Sequence, residues 1–446
     1  MSFAVTAALA DDIAHIRENP PSRLGLERAQ AAFLDTIGVM IAGGSEPAVA
    51  LLADTLMKLG ENPHGQSAGL LLDATAAHVL DFDDVAFGGH VSAILVPSIL
   101  RAATGRGVSG IDMLLAYAAG YEAWSEIASR EKVMYHARGL HPTGLLGPIA
   151  SAAACSVLFR LDTCQTSMAL AIAASQGAGL TASFGTMTKP FHAGRAAQAG
   201  FLAACLAQNG FTAAPDGLES FLSSYSPGGD IDRERPLNRV SGAWMLERIP
   251  PSVKQYPVCY AGHRAIDASI ELAQIHPLSL TDIVSIDVLI SDRHSKTLRY
   301  SKPKTASEAR FSLEFFVASA LSHNWVGLSD VDDANLTDET LQQLMAKITR
   351  RISEDMDPVL DGFARYDQVT VCLSDGQRLI SAPVSRALGH AERPLDLAHI
   401  RTKFEDCLAY AGRSSDAEAL FSAVATLADS TEGALLSAPW VTGRGV

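Results

Sequence analysis

The stretch that decides the fold covers residues 185–213 and reads GTMTKPFHAGRAAQAGFLAACLAQNGFTA. After Pro190, which suits the first turn of a helix, small apolar residues recur at three- and four-residue spacing. Lys189, His192 and Arg195 are spaced three apart at the start of this run, which places His192 and Arg195 on one side of the helix start. Three basic groups this close repel one another unless an anion binds them. The stretch therefore predicts a closely packed helix that begins at a site for a small carboxylate.

The helical pattern continues on both sides of this stretch, to about residue 265. The sequence pattern changes after residue 275, where β-branched and polar residues alternate in strands and in a hairpin around Ser-Asp-Gly. The predicted helices are 27–43, 47–59, 68–82, 93–104, 110–128, 144–160, 164–181, 194–210, 308–325 and 338–353, and the predicted strand and hairpin are 282–292 and 367–384.

These patterns predict a mainly α protein with a smaller α+β domain. Residues 1–265 are expected to form a large helical bundle domain, and residues 266–394 a small domain with a short antiparallel sheet. The tail, residues 395–446, returns to helical spacing and is expected to complete the first domain.

Composition limits the class of protein. The formal net charge of −14 argues against a nucleic-acid binder, because neutralising phosphates requires a basic face. No apolar run is expected to reach the roughly 18–20 residues that cross a bilayer, and the N-terminus lacks the basic region of a signal peptide. The six cysteines show no CxxC spacing and are expected to be free thiols. We therefore expect a cytoplasmic protein without a membrane span.

A second polar cluster reads DFDD, residues 81–84, with His90 shortly after it. Asp81 and Asp84 are three apart and are expected to share a helical face, whereas Asp83 points elsewhere. A carboxylate here can orient a neighbouring His or Lys, and His90 can act as an acid or a base. The alternative for each aspartate is that it caps the next helix.

Two further clusters read HPTG, residues 141–144, and VKQYPVCYAGH, residues 253–263. His141 precedes a long apolar helix whose first turn offers backbone N–H groups to a carboxylate. Lys254 and Tyr256 offer a cation and a proton donor, and His263 opens the next helix. Since no Cys or His grouping has metal-ligand spacing, no metal is expected.

At these residues the chain resembles the MmgE/PrpD family, which includes 2-methylcitrate dehydratase, cis-aconitate decarboxylase and iminodisuccinate epimerase. The resemblance spans nearly the whole chain and includes ARFSLEFFVASAL, residues 309–321. It implies a homodimer and no organic cofactor. It places the site positions of the family on Asp81, His90, His141, Lys189 and Lys254.

Two departures from the family pattern concern the substrate. Citrate-type members carry Thr after DFDD and Tyr at the end of FSLPY, whereas this chain has Val85 and Phe315. The loss of two hydroxyls indicates a pocket that is not tuned to hydroxy acids. We therefore expect an epimerase that removes and returns the proton alpha to a carboxylate of iminodisuccinate or a similar amino-polycarboxylate. The alternatives are a lyase of the 2-methylcitrate dehydratase or cis-aconitate decarboxylase type, and a non-catalytic scaffold with a vestigial pocket.

The expected mechanism assigns a role to each site residue. Lys189 and one of His90 or His141 form the acid–base pair, and Asp81 orients a partner. Lys254, which belongs to the catalytic set, and Arg195 hold the two ends of the substrate. Further substrate contacts are expected from His192, Tyr256 and His263.

Overall fold

The computed structural model describes residues 3–226, 230–239, 242–358, 360 and 362–431, which form eighteen α-helices and one four-stranded sheet. The predicted class, mainly α with a small α+β part, is confirmed. The chain divides into two compact units. The first, here the helical unit, contains Met1–Ser183, Met187–Val253 and the chain from Asp396 onward. The second, the mixed unit, contains Phe184–Thr186 and Lys254–Leu395.

The helical unit is built from helices whose bounds follow the predicted periodicity closely. One predicted helix, 164–181, is too long, because it ends at Ala174 and Gly179 then adopts a φ of 149° that side chains rarely reach. The helices are α1 Val5–Ala14, α2 Arg23–Gly43, α3 Pro47–Lys58, α4 Gln66–Val79, α5 Ser92–Ala103, α6 Gly110–Arg130, α7 Pro142–Phe159, α8 Thr163–Ala174, α9 Thr188–Gln208, α10 Gly217–Tyr225, α11 Met245–Arg248, α17 Leu397–Tyr410 and α18 Ala417–Ala425.

Helix α9, which the opening stretch of sequence predicts, packs against α4, α7 and α8. Its small residues explain this close packing. A Cβ on Gly194 would lie 2.4 Å from the carbonyl oxygen of Leu71 in α4, and one on Gly200 would lie 2.3 Å from that of Pro148 in α7. Both distances are far below van der Waals contact, so glycine is what permits these crossings.

Helix α7 corrects one expectation from the sequence. It is long and apolar enough to cross a membrane, and every one of its residues is buried within the protein. The expectation that no apolar run reaches that length is therefore wrong for Pro142–Phe159. Its burial and its contacts with α6 and α9 are those of a core helix.

The mixed unit contains a four-stranded sheet with the order β2-β1-β3-β4. Strand β1 pairs antiparallel with β3, as expected for the predicted short antiparallel sheet, and parallel with β2, so the sheet is mixed. The predicted helix 338–353 also ends early, since its second half, ITRRI, carries β-branched residues that stiffen an extended chain and forms β2. The elements are α12 His263–Ile275, β1 Ile283–Ile290, α13 Asp292–Thr297, α14 Ala306–Ala309, α15 Leu313–His323, α16 Glu339–Met345, β2 Ile348–Ile352, β3 Gln368–Leu373 and β4 Arg378–Ile380.

The sequence predicts a domain boundary at residue 265. The longer segment of the mixed unit starts at Lys254, and its first helix, α12, packs on α15 and on strand β3. The tail from Asp396 belongs to the helical unit, where α17 and α18 pack against α2.

Candidate functional site

The first part of the site is the turn that follows α4. The helix ends at Val79, and Asp81 then adopts a φ of 51°, a left-handed conformation that is uncommon outside glycine and is often found at functional sites. DFDD is therefore not helical, and the expected shared face of Asp81 and Asp84 is wrong. The turn directs the Asp81 carboxylate to α9, where its Oδ1 accepts a hydrogen bond from Lys189 Nζ at 2.8 Å. Both side chains are buried.

Asp83 holds the centre of the site, although the sequence indicated that it points elsewhere. Its Oδ1 lies 3.0 Å from Nδ1 of His78, and its Oδ2 lies 2.9 Å from Nδ1 of His90. Burial by itself would raise the pKa of Asp83, but the attraction and hydrogen bonds of the two imidazoles hold that pKa well below its usual range. The carboxyl is therefore ionised.

A second pair of imidazoles adjoins the first. Nδ1 of His141 lies 3.0 Å from Nδ1 of His192, and the ring of His141 stacks on that of His78 with centroids 5.9 Å apart. Burial is the largest cause that lowers the pKa of His78 and His192 and brings that of His141 well below its ordinary value, and the nearby Lys189 lowers all three further. For His78, the attraction of Asp83 opposes this lowering of the pKa only in part. The ligand-free protein therefore holds these three imidazoles in the neutral form at pH 7.

Backbone hydrogen bonds hold the loops that carry these histidines. The His141 N–H donates to the carbonyl oxygen of Gly179 at 3.0 Å, and α7 begins at the next residue. The His90 N–H donates to Thr143 Oγ1 of the HPTG cluster at 3.2 Å. The two loops therefore fix each other.

Asp84 lies behind the site in a separate network. It accepts hydrogen bonds from the backbone N–H and the hydroxyl of Ser92, and that hydroxyl lies 2.7 Å from the hydroxyl of Tyr117. Burial, with a smaller contribution from Asp35, raises the pKa of Asp84 to about 8. The carboxyl is therefore protonated at neutral pH and has a structural role.

The protonated Asp84 predicts a pH dependence of stability. The folded chain keeps this proton to about pH 8, whereas the unfolded chain loses it near the ordinary pKa of 3.8. The folded state binds the extra proton in between, so stability falls as the pH rises. Asp84→Asn mimics the neutral carboxyl, and relative to this variant the wild type should lose about 1.4 kcal/mol of unfolding free energy per pH unit between about pH 5 and 7. Urea unfolding of both proteins measures this, and parallel profiles would contradict it.

A lysine from the C-terminal tail supports the same turn from α17. Lys403 Nζ lies 2.6 Å from Asp35 Oδ1, donates to the carbonyl oxygen of Phe82 at 2.7 Å, and lies 3.9 Å from the centre of the Phe82 ring. All three residues are buried. The DFDD turn is thus anchored by a residue more than 300 positions away in the chain.

Two further predicted site residues are Arg195 and Tyr256. Arg195 is exposed and donates to Gln198, whereas Lys189 of the same helix is buried. Tyr256 belongs to the mixed unit, where its hydroxyl donates to Asp267 at 2.7 Å and its ring contacts His263. The substrate contact of Tyr256 stays a prediction from the sequence.

Lys254 and His263 also belong to the mixed unit, and both are fully buried. His263 is the first residue of α12, and its Nε2 lies 3.3 Å from the carbonyl oxygen of Val258. The catalytic role of Lys254 and the substrate contact of His263 stay predictions from the sequence.

Four side chains of the cluster lie close enough together to be considered as ligands of a metal ion. His78, Asp81, Asp83 and His90 each offer a ligand atom, and these atoms lie within 4.8 Å of one another. The sequence spacing did not show this grouping. However, the Lys189 ammonium already sits on Asp81, and Asp83 lies at ordinary hydrogen-bond distance from both Nδ1 atoms. The arrangement therefore fits a proton network better than a metal site.

The structure thus brings together Asp81, His90, His141, Lys189 and His192, and it adds residues that the sequence analysis missed. His78 had a detectable signal, since it is a histidine inside the apolar run ATAAHVL. No sequence signal indicated the roles of Asp83 and Lys403, because both roles depend on contacts made by the folded chain.

Comparisons with known proteins agree with the resemblance. The model of the MmgE/PrpD N-terminal domain matches residues 7–233, and that of the C-terminal domain matches residues 256–429. Human cis-aconitate decarboxylase is 23% identical over 432 residues, which cover 91% of this chain and 88% of the human protein. Cis-aconitate decarboxylase of Aspergillus terreus is 27% identical over 393 residues, which cover 79% of this chain and 77% of the fungal protein. With both domains matched over most of its length, the chain belongs to the MmgE/PrpD family of enzymes.

Proposed function

We propose that the protein is a lyase that decarboxylates cis-aconitate or a closely similar unsaturated tricarboxylate. The observation that carries the proposal is the buried Lys189–Asp81 ion pair beside four imidazoles, in a chain whose compared relatives are cis-aconitate decarboxylases. Buried ionisable groups of this kind cluster at catalytic sites.

The reaction requires a proton donor at carbon. The bond between carbon and one carboxylate breaks, its electron pair stays on the carbon framework, and a proton is added to that framework as CO2 leaves. Lys189 Nζ can supply this proton, and the hydrogen bond to Asp81 fixes its position. His90 or the His141–His192 pair can return a proton to Lys189 between turnovers.

The charges of the site suit an anionic substrate. Three of its imidazoles are neutral in the ligand-free protein because burial lowers their pKa. A bound polycarboxylate raises the pKa of a nearby imidazole, because an opposite charge favours its protonated form. Substrate binding thus draws in the protons that neutralise the carboxylates and sustain the reaction.

Epimerisation of iminodisuccinate, the function expected from the sequence, is the second candidate, and the comparisons favour the lyase. The observation that supports epimerisation is the absence of the two hydroxyls that citrate-type members carry. Phe315 is fully buried in the core of the mixed unit, and Val85 carries no donor. If the same residues removed and returned the proton alpha to a carboxylate, without loss of CO2, they would epimerise the substrate. The homodimer and the cytoplasmic location stay predictions from the sequence.

Proton NMR in deuterated water decides between these functions. The purified protein is incubated separately with cis-aconitate, 2-methylcitrate and iminodisuccinate, before and after exhaustive chelation. We expect a decarboxylated, deuterium-labelled product and CO2 from cis-aconitate, in both preparations. Exchange of the alpha proton of iminodisuccinate without CO2 release would overturn the lyase in favour of the epimerase. Heat-denatured protein is the control.

A further inference from the structure

The contacts of Asp83 bear on the tautomers of the two histidines that it touches. Nδ1 of His78 lies 3.0 Å from Oδ1 of Asp83 and 3.1 Å from its Oδ2, and Nδ1 of His90 lies 2.9 Å from the same Oδ2. Asp83 and His78 are fully buried, whereas the His90 side chain is 12% exposed. The three residues form a His–Asp–His bridge of which His90 is the accessible end.

An ionised carboxylate accepts hydrogen bonds and donates none. Both Nδ1 atoms that face Asp83 must therefore carry hydrogen, so each imidazole takes up or releases a proton at Nε2. Nε2 of His90 lies 3.7 Å from Oδ1 of Asp81, the oxygen that Lys189 contacts at 2.8 Å. The nitrogen of His90 that is able to take a proton thus faces the Lys189–Asp81 pair.

We propose that Asp83 is a positioning residue that fixes His78 and His90 in the Nδ1–H tautomer, and that Nε2 of His90 is consequently the nitrogen that exchanges a proton with the Lys189–Asp81 pair. His78 is the second hydrogen-bond donor, which keeps the carboxylate in place. The kinetic part of this inference rests on the proposed function, whereas the tautomers do not.

Substitution of Asp83 by asparagine gives the sharpest test. A carboxamide has nearly the same shape but presents one acceptor atom and one donor group. At the position of either Asp83 oxygen, its amide N–H group faces at least one Nδ1–H, and two donors repel each other. We therefore expect Asp83→Asn to convert at least one of the two histidines to the Nε2–H tautomer.

Nitrogen NMR of the full chain, labelled with 15N-histidine and free of substrate, reads these tautomers directly. Single replacements of His78 and His90 by asparagine assign the signals. In the wild type we expect both residues to show a protonated Nδ1. An unprotonated Nδ1 on either residue would overturn the inference, whatever the protein catalyses.

Kinetics supply the second measurement, with whichever substrate the protein turns over. Asp83→Asn should lower kcat by up to about 10⁴-fold, the loss seen when a carboxylate that orients a catalytic histidine is converted to an amide. KM should stay near the wild-type value, because Asp83 is fully buried and the substrate does not reach it. Wild-type kcat in this variant would overturn the inference while leaving the proposed function intact.

A pair of His78 variants keeps the test decisive even where Asp83→Asn fails to fold. Asparagine at position 78 places an N–H donor near the position of Nδ1, whereas phenylalanine fills the same space without one. We expect His78→Asn to retain the Nδ1–H tautomer of His90 and most of the activity, and His78→Phe to lose activity with a lower kcat. Equal activity of the two variants, or zinc bound tightly by the wild-type cluster through its Nδ1 atoms, would overturn the inference.

Discussion

Replacing Lys189 by methionine should lower turnover by about 10²–10⁴-fold, the range that general acid–base groups contribute. The ammonium group is buried and hydrogen-bonded to Asp81 at 2.8 Å, so it combines charge with a fixed proton. Methionine has similar length and removes both. Steady-state kinetics with the substrate identified by NMR measures the loss.

Two variants separate the possible causes of that loss. Lys189→Arg keeps the positive charge but does not release a proton near neutral pH, so it should stay nearly as inactive as the methionine variant. Lys58→Met removes an exposed lysine at the end of α3 and should leave turnover unchanged. Recovery of activity in Lys189→Arg would show that the residue provides charge alone, and would contradict its role as proton donor.

Replacing Lys403 by methionine should reduce the unfolding free energy by about 3–5 kcal/mol, the range measured when one partner of a buried ion pair is removed. The change deprives the buried Asp35 of this lysine and frees the Phe82 carbonyl that anchors the DFDD turn. Urea unfolding, followed by far-UV circular dichroism, measures the effect on the helical unit.

The matched control is the double variant Asp35→Asn/Lys403→Met. It removes the buried carboxylate together with its partner and should recover part of the lost stability. A double variant no more stable than Lys403→Met would show that the lysine acts through the Phe82 carbonyl and ring rather than through the ion pair.

Much of the fold could be predicted from local sequence, for reasons visible in particular elements. Helix α9 follows from its periodic small residues, and the hairpin of β3 and β4 from the Ser-Asp-Gly turn. Strand β2 could not be predicted, because the run before it has helical spacing and a parallel partner in β1 decides its conformation. Strand pairing is non-local, so a single segment does not contain it.

For the site, the sequence determined which chemical groups are available, and it identified Lys189, Asp81, His90 and His141 through short motifs and their family resemblance. The tertiary structure alone decided how those groups are paired. It placed Asp83 between two imidazoles, removed Arg195 from the cluster, and brought Lys403 to the DFDD turn. The physical reason is that a motif fixes residue types and local spacing, whereas hydrogen-bond partners and desolvation depend on side chains that only folding brings together.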